Sequence, residues 1–159
     1  MIRVRKARPG DAPTIVDFQR RMAWETEHLR LDPTIVRRGV AAVFRDPTKG
    51  AYWVAEIQGR VVASSLILPE WSDWRNGTVL WIHSVYVLPT ARRKGAFRAL
   101  YRHLKRRVER SSRLKGLRLF VDKNNTRARK VYAAMGMDGD HYRLYEWIKP
   151  RPRRATLKP

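Results

Sequence analysis

Residues 82–101, IHSVYVLPTARRKGAFRALY, constrain the fold more than any other stretch. A run of β-branched and aromatic residues over 82–87 reads as a strand, Pro89 ends it, a basic turn closes on Gly95, and a helix opens with Ala96, Phe97 and Arg98. The first amides of a helix have no intrahelical acceptor, and the helix dipole adds partial positive charge where they point. A strand that passes through a glycine turn into a helix start therefore offers several N–H donors to one phosphate. Arg92, Arg93 and Lys94 add full charges to that corner. A basic turn that is simply solvated has the same composition, so the corner alone leaves its ligand open.

A second run, Asn125-x-x-Ala128-x-x-x-Tyr132-x-x-x-Gly136-Met137, follows the strand-like residues 117–121. In this order the two runs resemble the GNAT superfamily of N-acetyltransferases. The first is similar to the acetyl-CoA signature R/Q-x-x-G-x-G/A, here Arg92-x-x-Gly95-x-Phe97 after Val85-Tyr86-Val87-Leu88-Pro89. The second is similar to N-x-x-A-x-x-x-Y-x-x-x-G-F, with Met137 in the last place. Phe97 departs from the pattern: Gly or Ala there lets the helix backbone approach the pyrophosphate, so the Phe97 ring is expected to turn away into the sheet. The resemblance covers residues 2–148, and only the two runs are specific.

The resemblance implies an α/β (α+β) fold: a mixed, mostly antiparallel central sheet flanked by helices, as one domain over residues 1–148. It implies direct transfer of an acetyl group from acetyl-CoA to a primary amine in a ternary complex. Val85, Tyr86 and Val87 would pair with the pantetheine arm where their strand splays from its neighbour. An N–H near Val85 would stabilise the oxyanion. Amides of Arg93, Lys94, Gly95, Ala96 and Phe97, with Arg92 and Arg98, would hold the pyrophosphate, and Asn125 would touch the cofactor arm. Tyr132 would protonate the departing thiolate, as a phenol of pKa about 10 can when held against sulfur; packing of its helix on the sheet is the competing role.

The base has three candidates. An alkylammonium of pKa about 10.4 must lose a proton before it attacks, and an imidazole near 6.5 suits the task. His83 lies on the central strand one step before the splay. Glu27, near the end of the first helix, and Glu70, in a tryptophan-rich segment, could act through a water or be surface carboxylates. The four histidines are scattered, so no metal site is expected.

In chain order, residues 2–6 alternate as a first strand, and Asp11 is the expected cap of a helix to Glu27 that buries Ile15, Phe18, Met22 and Leu29. Asp32 and Pro33 open a second helix burying Val36, Val40 and Val43 or Phe44. Residues 52–57 and 60–68 flank Gln58-Gly59 as a hairpin. Residues 69–77, PEWSDWRNG, read as a polar loop whose Trp71 and Trp74 either line a substrate pocket or cover a sheet edge. Thr78 to residue 87 returns as the central strand, residues 117–121 form the next, a helix runs over 126–135, and residues 142–148 supply a last strand. Residues 149–159 are basic and proline-rich, and disorder is expected there.

Charge is the outlying bulk property. The 159 residues carry 35 Lys and Arg against 14 Asp and Glu, a net charge of +21, and one CoA needs few of those cations. Between residues 89 and 118 twelve basic side chains face the single Glu109, and Arg98, Arg102, Arg106 and Arg110 recur every fourth residue. Such a stripe either follows a phosphate backbone or is the solvated face of an amphipathic helix. The second reading of the chain is thus a polyanion-binding module, for nucleic acid or a ribosome, on a GNAT scaffold. A third, within the first class, acetylates a protein terminus or lysine. For a small amine, the acids and aromatics of the N-terminal helices and residues 69–77 would suit a cationic or aromatic acceptor. With no cysteine, no signal peptide and no membrane-length apolar run, a cytoplasmic location is expected. A homodimer is left open.

Overall fold

The computed structural model describes residues 1–149, so the expectation for the tail lies outside the described residues from Pro150 on. The chain divides into two compact units, residues 1–120 and a second that begins at Val121.

The first unit holds a five-stranded sheet in the order of the chain: β1 (Ile2–Lys6), β2 (Ala51–Ile57), β3 (Arg60–Ser72), β4 (Gly77–Val87) and β5 (Leu114–Leu119). The first four are antiparallel neighbours, and β5 lies parallel to β4 after the crossover through α3 (Ala96–Glu109). This is the mixed, mostly antiparallel sheet the sequence implies. Alternation along β2 divides the core in two. Tyr52 and Val54 meet Ile15 of α1 (Ala12–Glu27) and Val40 of α2 (Pro33–Arg45) on one face; Ala55, with Ala63 of β3, meets Ala96 and Leu100 of α3 on the other. Three alanines at that second contact let α3 lie close to the sheet. Full burial of Ile15, Phe18, Leu100 and Leu104 contributes about 1.5–3 kcal/mol each.

Local chemistry sets several boundaries as expected. Asp32 caps α2, its Oδ1 accepting from the N–H groups of Thr34 at 2.7 Å and Ile35 at 3.3 Å, with Pro33 first in the helix. Gln58 and Gly59 turn the β2–β3 hairpin with φ of 50° and 75°, the left-handed pair a two-residue turn requires.

Other expectations are corrected. Asp11 does not cap α1: its carboxylate accepts from the Arg8 N–H at 2.6 Å and pairs with Arg5 at 2.7 Å, while Arg5 Nε donates to Glu56 at 2.7 Å. Leu29 is half exposed because His28, in the left-handed region, ends α1 before it. Residues 69–77 are not all loop. β3 continues through Ser72, paired only with β4, because β2 leaves it after the Ala51–Ile67 pair. Pro69 is tolerated there since no neighbour on the β2 side needs its missing N–H. Trp71 and Trp74 are exposed at that end of the hairpin. Residues 142–148 form no strand; Tyr142, Tyr145 and Trp147 are exposed there, and alternation makes a strand only where an edge pairs with it.

The second unit contains α4 (Thr126–Ala134), capped by Asn125, whose Oδ1 accepts the Ala128 N–H at 3.0 Å. It closes on Gly136, at φ 81°, with the Gly136 N–H on the Ala133 carbonyl and the Met137 N–H on the Tyr132 carbonyl. Among the described residues no helix is long and apolar enough to cross a membrane.

Candidate active site

The opening in the sheet comes from a bulge. Ser64 pairs with Tyr86 and Leu66 with His83, so three steps on β4 face two on β3. Ser84 takes the extra step at φ 50°, and Ser65 Oγ holds the bulge by donating to the His83 carbonyl at 2.9 Å. On its other side β4 pairs with β5 only from Thr78 to Ile82. Residues 83–87 therefore present a main-chain edge that no strand pairs among the described residues.

That edge leads into the basic corner. Pro89–Ala91 make one turn of 3₁₀ helix, Arg93 and Gly95 adopt φ of 63° and 88°, and α3 starts at Ala96 with no side-chain cap. Ala91 and Ala96, both almost fully buried, press the corner onto the sheet. A Cβ on Gly95 would meet only Ile2 Cδ1 at 3.8 Å, so glycine is needed for its left-handed backbone rather than for space. Arg93, Lys94 and Arg98 are exposed and enter no ion pair among the described residues.

Phe97 does not turn into the sheet. Ala96 and Leu100 hold the sheet-facing positions, and the half-buried Phe97 ring lies 6.4 Å from that of Tyr101, one turn further along α3. The small residue against the sheet is thus Ala96, one place earlier than the signature puts it.

Arg92 sits differently from Arg93 and Lys94. Its Nε donates to the Val87 carbonyl at 2.9 Å, its Nη2 pairs with Glu25 of α1, and its guanidinium lies 5.6 Å from the centre of the Tyr86 ring. Tyr86, buried against Phe18, donates its hydroxyl to Glu25 Oε1 at 2.8 Å. Arg92 therefore ties the end of β4 to α1. Burial pushes the Glu25 carboxyl up, but the Arg92 and Tyr86 hydrogen bonds outweigh it and hold it below the ordinary value, so it is ionised at neutral pH. Burial, then the Glu25 bond, pushes the Tyr86 phenol up. Glu25 escaped the sequence reading, although a carboxylate seven residues after Phe18 and three after Met22, on the apolar stripe of α1, was the signal.

The three base candidates separate. His83 lies on the α1 and α2 side of the sheet, at the start of the unpaired edge, with Trp81 and Phe120 each 5.9 Å from its ring. Burial pushes its pKa down, so the neutral imidazole, able to take a proton, dominates at pH 7. Glu70 is a strand residue: Oε1 accepts from Arg118 Nη1 at 2.7 Å and Oε2 from Trp81 Nε1. Glu27 is exposed at the last position of α1. In the second unit, Asn125 spends its Oδ1 on the helix cap, and burial pushes the Tyr132 phenol above its ordinary pKa, so it is protonated and able to donate.

The sequence model of the acetyltransferase (GNAT) family matches residues 13–137. The chain belongs to the GNAT acetyltransferase family. It is an N-acetyltransferase, and its acetyl donor is acetyl-CoA. Among solved structures, one described as a possible acetyltransferase from Clostridium difficile 630 is 39% identical, with 95% of this chain and 99% of that one covered and a TM-score of 0.87. A predicted acetyltransferase with acetyl-CoA from Clostridium acetobutylicum is 20% identical over 92% of this chain and 96% of its own, at a TM-score of 0.70. At that identity the likeness is one of fold. A search of the curated proteins gave no match. For a GNAT acetyltransferase the geometry fits the donor. The unpaired edge of β4 can accept an extended arm as an added strand, and the uncapped start of α3 between exposed cations can accept its pyrophosphate.

Proposed function

We propose that the protein acetylates the primary amine of a small molecule by direct attack on acetyl-CoA, with the chemistry at residues 83–87 of β4. The observation that carries this reading is the unpaired edge beginning at His83 and running straight into the uncapped corner before α3. Acetyl-CoA supplies an electrophilic acyl carbon and a thiolate leaving group. Main-chain groups of Val85, Tyr86 and Val87 align the arm, and an N–H near Val85 donates to the negative charge that develops on the acyl oxygen. Amides of Arg93 to Phe97, with the Arg93, Lys94 and Arg98 side chains, hold the pyrophosphate. Arg92 acts one step back, fixing the corner through Val87 and Glu25.

His83 takes the ammonium proton, because its neutral ring stands at the start of the edge while the Glu70 carboxylate is already bound by Arg118 and Trp81. The amine nitrogen then forms its bond to the acyl carbon, the carbon–sulfur bond breaks, and the Tyr132 hydroxyl gives its proton to sulfur. The second proton that the nitrogen sheds on becoming an amide passes to solvent, from which the Tyr132 oxygen is reprotonated. The Tyr132 role rests on the motif it shares with the family, as does contact of Asn125 with the cofactor arm.

The test is steady-state kinetics on a panel of small amines with three proteins. Tyr132→Phe should lower kcat about a hundredfold or more and leave acetyl-CoA affinity within about twofold. His83→Asn should remove the loss of rate as pH falls, a limb expected below the ordinary histidine value because burial lowers that pKa. Unchanged kcat in Tyr132→Phe eliminates it as the acid. If no amine is turned over while acetyl-CoA binds, the small-molecule acceptor is wrong.

A further inference from the structure

We propose that the outer face of α3, with the cleft between α3 and β1, binds the phosphate backbone of a nucleic-acid strand. The face begins with Arg102, beyond the corner that receives acetyl-CoA, and Arg102, Arg106 and Arg110 follow one another at every fourth residue, all exposed. Four residues of helix advance about 6 Å, so the stripe offers evenly spaced cations along a line. Lys105 and Arg107 flank it, and Lys6 reaches the same side from β1, where it registers against Trp53 under the Arg107 guanidinium.

These cations have almost no internal use. Glu109 is the acid of α3, and it lies 3.9 Å from Lys105. Arg102, Arg106 and Arg110 enter no ion pair among the described residues. Glu56 of β2 faces the other side of the sheet, where Arg5 holds it. The charge is uncompensated, which costs self-repulsion unless an anion screens it.

The surface also has relief. Ile2 and Val4 of β1 with Ala99, Arg102, His103 and Arg106 of α3 line a cleft of about 380 Å³. His103, stacked 4.7 Å from Trp53, has a buried Nε2 with no hydrogen-bond partner. Burial, then Arg107 and Arg106, hold its pKa down, so at neutral pH it adds a hydrogen-bonding nitrogen without adding charge. With the proton of the neutral ring on Nε2, a phosphate seated between Arg102 and Arg106 would accept from that buried nitrogen and give it a partner. An acidic peptide carries its charges irregularly, whereas the even spacing of the stripe suits a polymer with one anion per repeat.

The experiment is fluorescence anisotropy of a labelled single-stranded oligonucleotide of about 16 residues, titrated from about 50 to about 200 mM salt. Contact with three phosphates gives a slope of log K against log salt near −2 for the wild type, at about −0.7 per contact. Arg102→Gln with Arg106→Gln should weaken binding about tenfold or more at low salt and flatten the slope by about 1.4. Arg37→Gln with Arg38→Gln, which removes the same charge from the exposed side of α2, should leave affinity within about twofold. Acetyl-CoA affinity should be unchanged in both. Equal weakening by the two pairs means a bulk charge effect and overturns the proposal. So does absence of wild-type binding, displacement of the oligonucleotide by acetyl-CoA, or equal displacement by polyglutamate.

Discussion

The two faces of the sheet use the same residue types to opposite ends. On the α1 and α2 face three arginines are paired across elements: Arg5 with Asp11 and Glu56, Arg92 with Glu25, Arg118 with Glu70. On the α3 face the one ion pair among the described residues is Lys105 with Glu109, a single turn apart on the helix itself. Composition does not distinguish an arginine of the first kind from one of the second. What distinguishes them is whether the fold sets a carboxylate opposite. A paired and half-buried arginine holds elements together, and an exposed unpaired one is left to solvent or to an outside anion.

The contrast can be broken at its strongest point first. Arg5→Met would leave Asp11 and Glu56 as neighbouring carboxylates with no cation between them, and should cost about 2–3 kcal/mol in urea unfolding at pH 7. The Asp11 carboxyl is held below its ordinary pKa chiefly by the Arg5 hydrogen bond. Its contribution is thus complete above about pH 4 and lost as pH falls further, so the gap between wild type and variant should narrow in acid. A gap independent of pH would mean that Arg5 acts through packing. Glu25→Gln should cost less, about 1 kcal/mol, because the Glu25 and Arg92 side chains are each 36% exposed and solvent screens the pair. Its sharper signature is weakened acetyl-CoA binding as the corner loosens. The smallest effect belongs to the α3 face: Arg102→Gln with Arg106→Gln should leave the unfolding midpoint where it was. Destabilisation there comparable to Arg5→Met would erase the distinction between the faces.

Much of the frame was legible because its signals are local. Asp32-Pro33, Gln58-Gly59, Gly95 and Gly136 each act through the backbone conformation or capping of their own residues, and each ended or started an element where expected. Other features depend on partners distant in sequence. Pro69 argues against a strand until β2 is seen to leave that part of β3 unpaired on one side. Asp11 has the composition of a cap, but Arg5 and the Arg8 amide compete for it. In the candidate site, the motif marked the corner and could not show that Arg92 faces inward to Glu25 while Arg93 and Lys94 face out. Glu70 reads as a candidate base from its own segment, and only the fold places Arg118 and Trp81, 48 and 11 positions along the chain, on its oxygens.

By itself the sequence determined the family, the order of elements as far as α4 and the place of the basic corner, since periodicity, turn residues and a spaced motif all act over a few residues. The tertiary structure decided which charges are spent and which are left over, and where β4 loses its neighbour. Those are questions of what lies opposite in space, and Coulomb and hydrogen-bond energies depend on that distance rather than on separation along the chain.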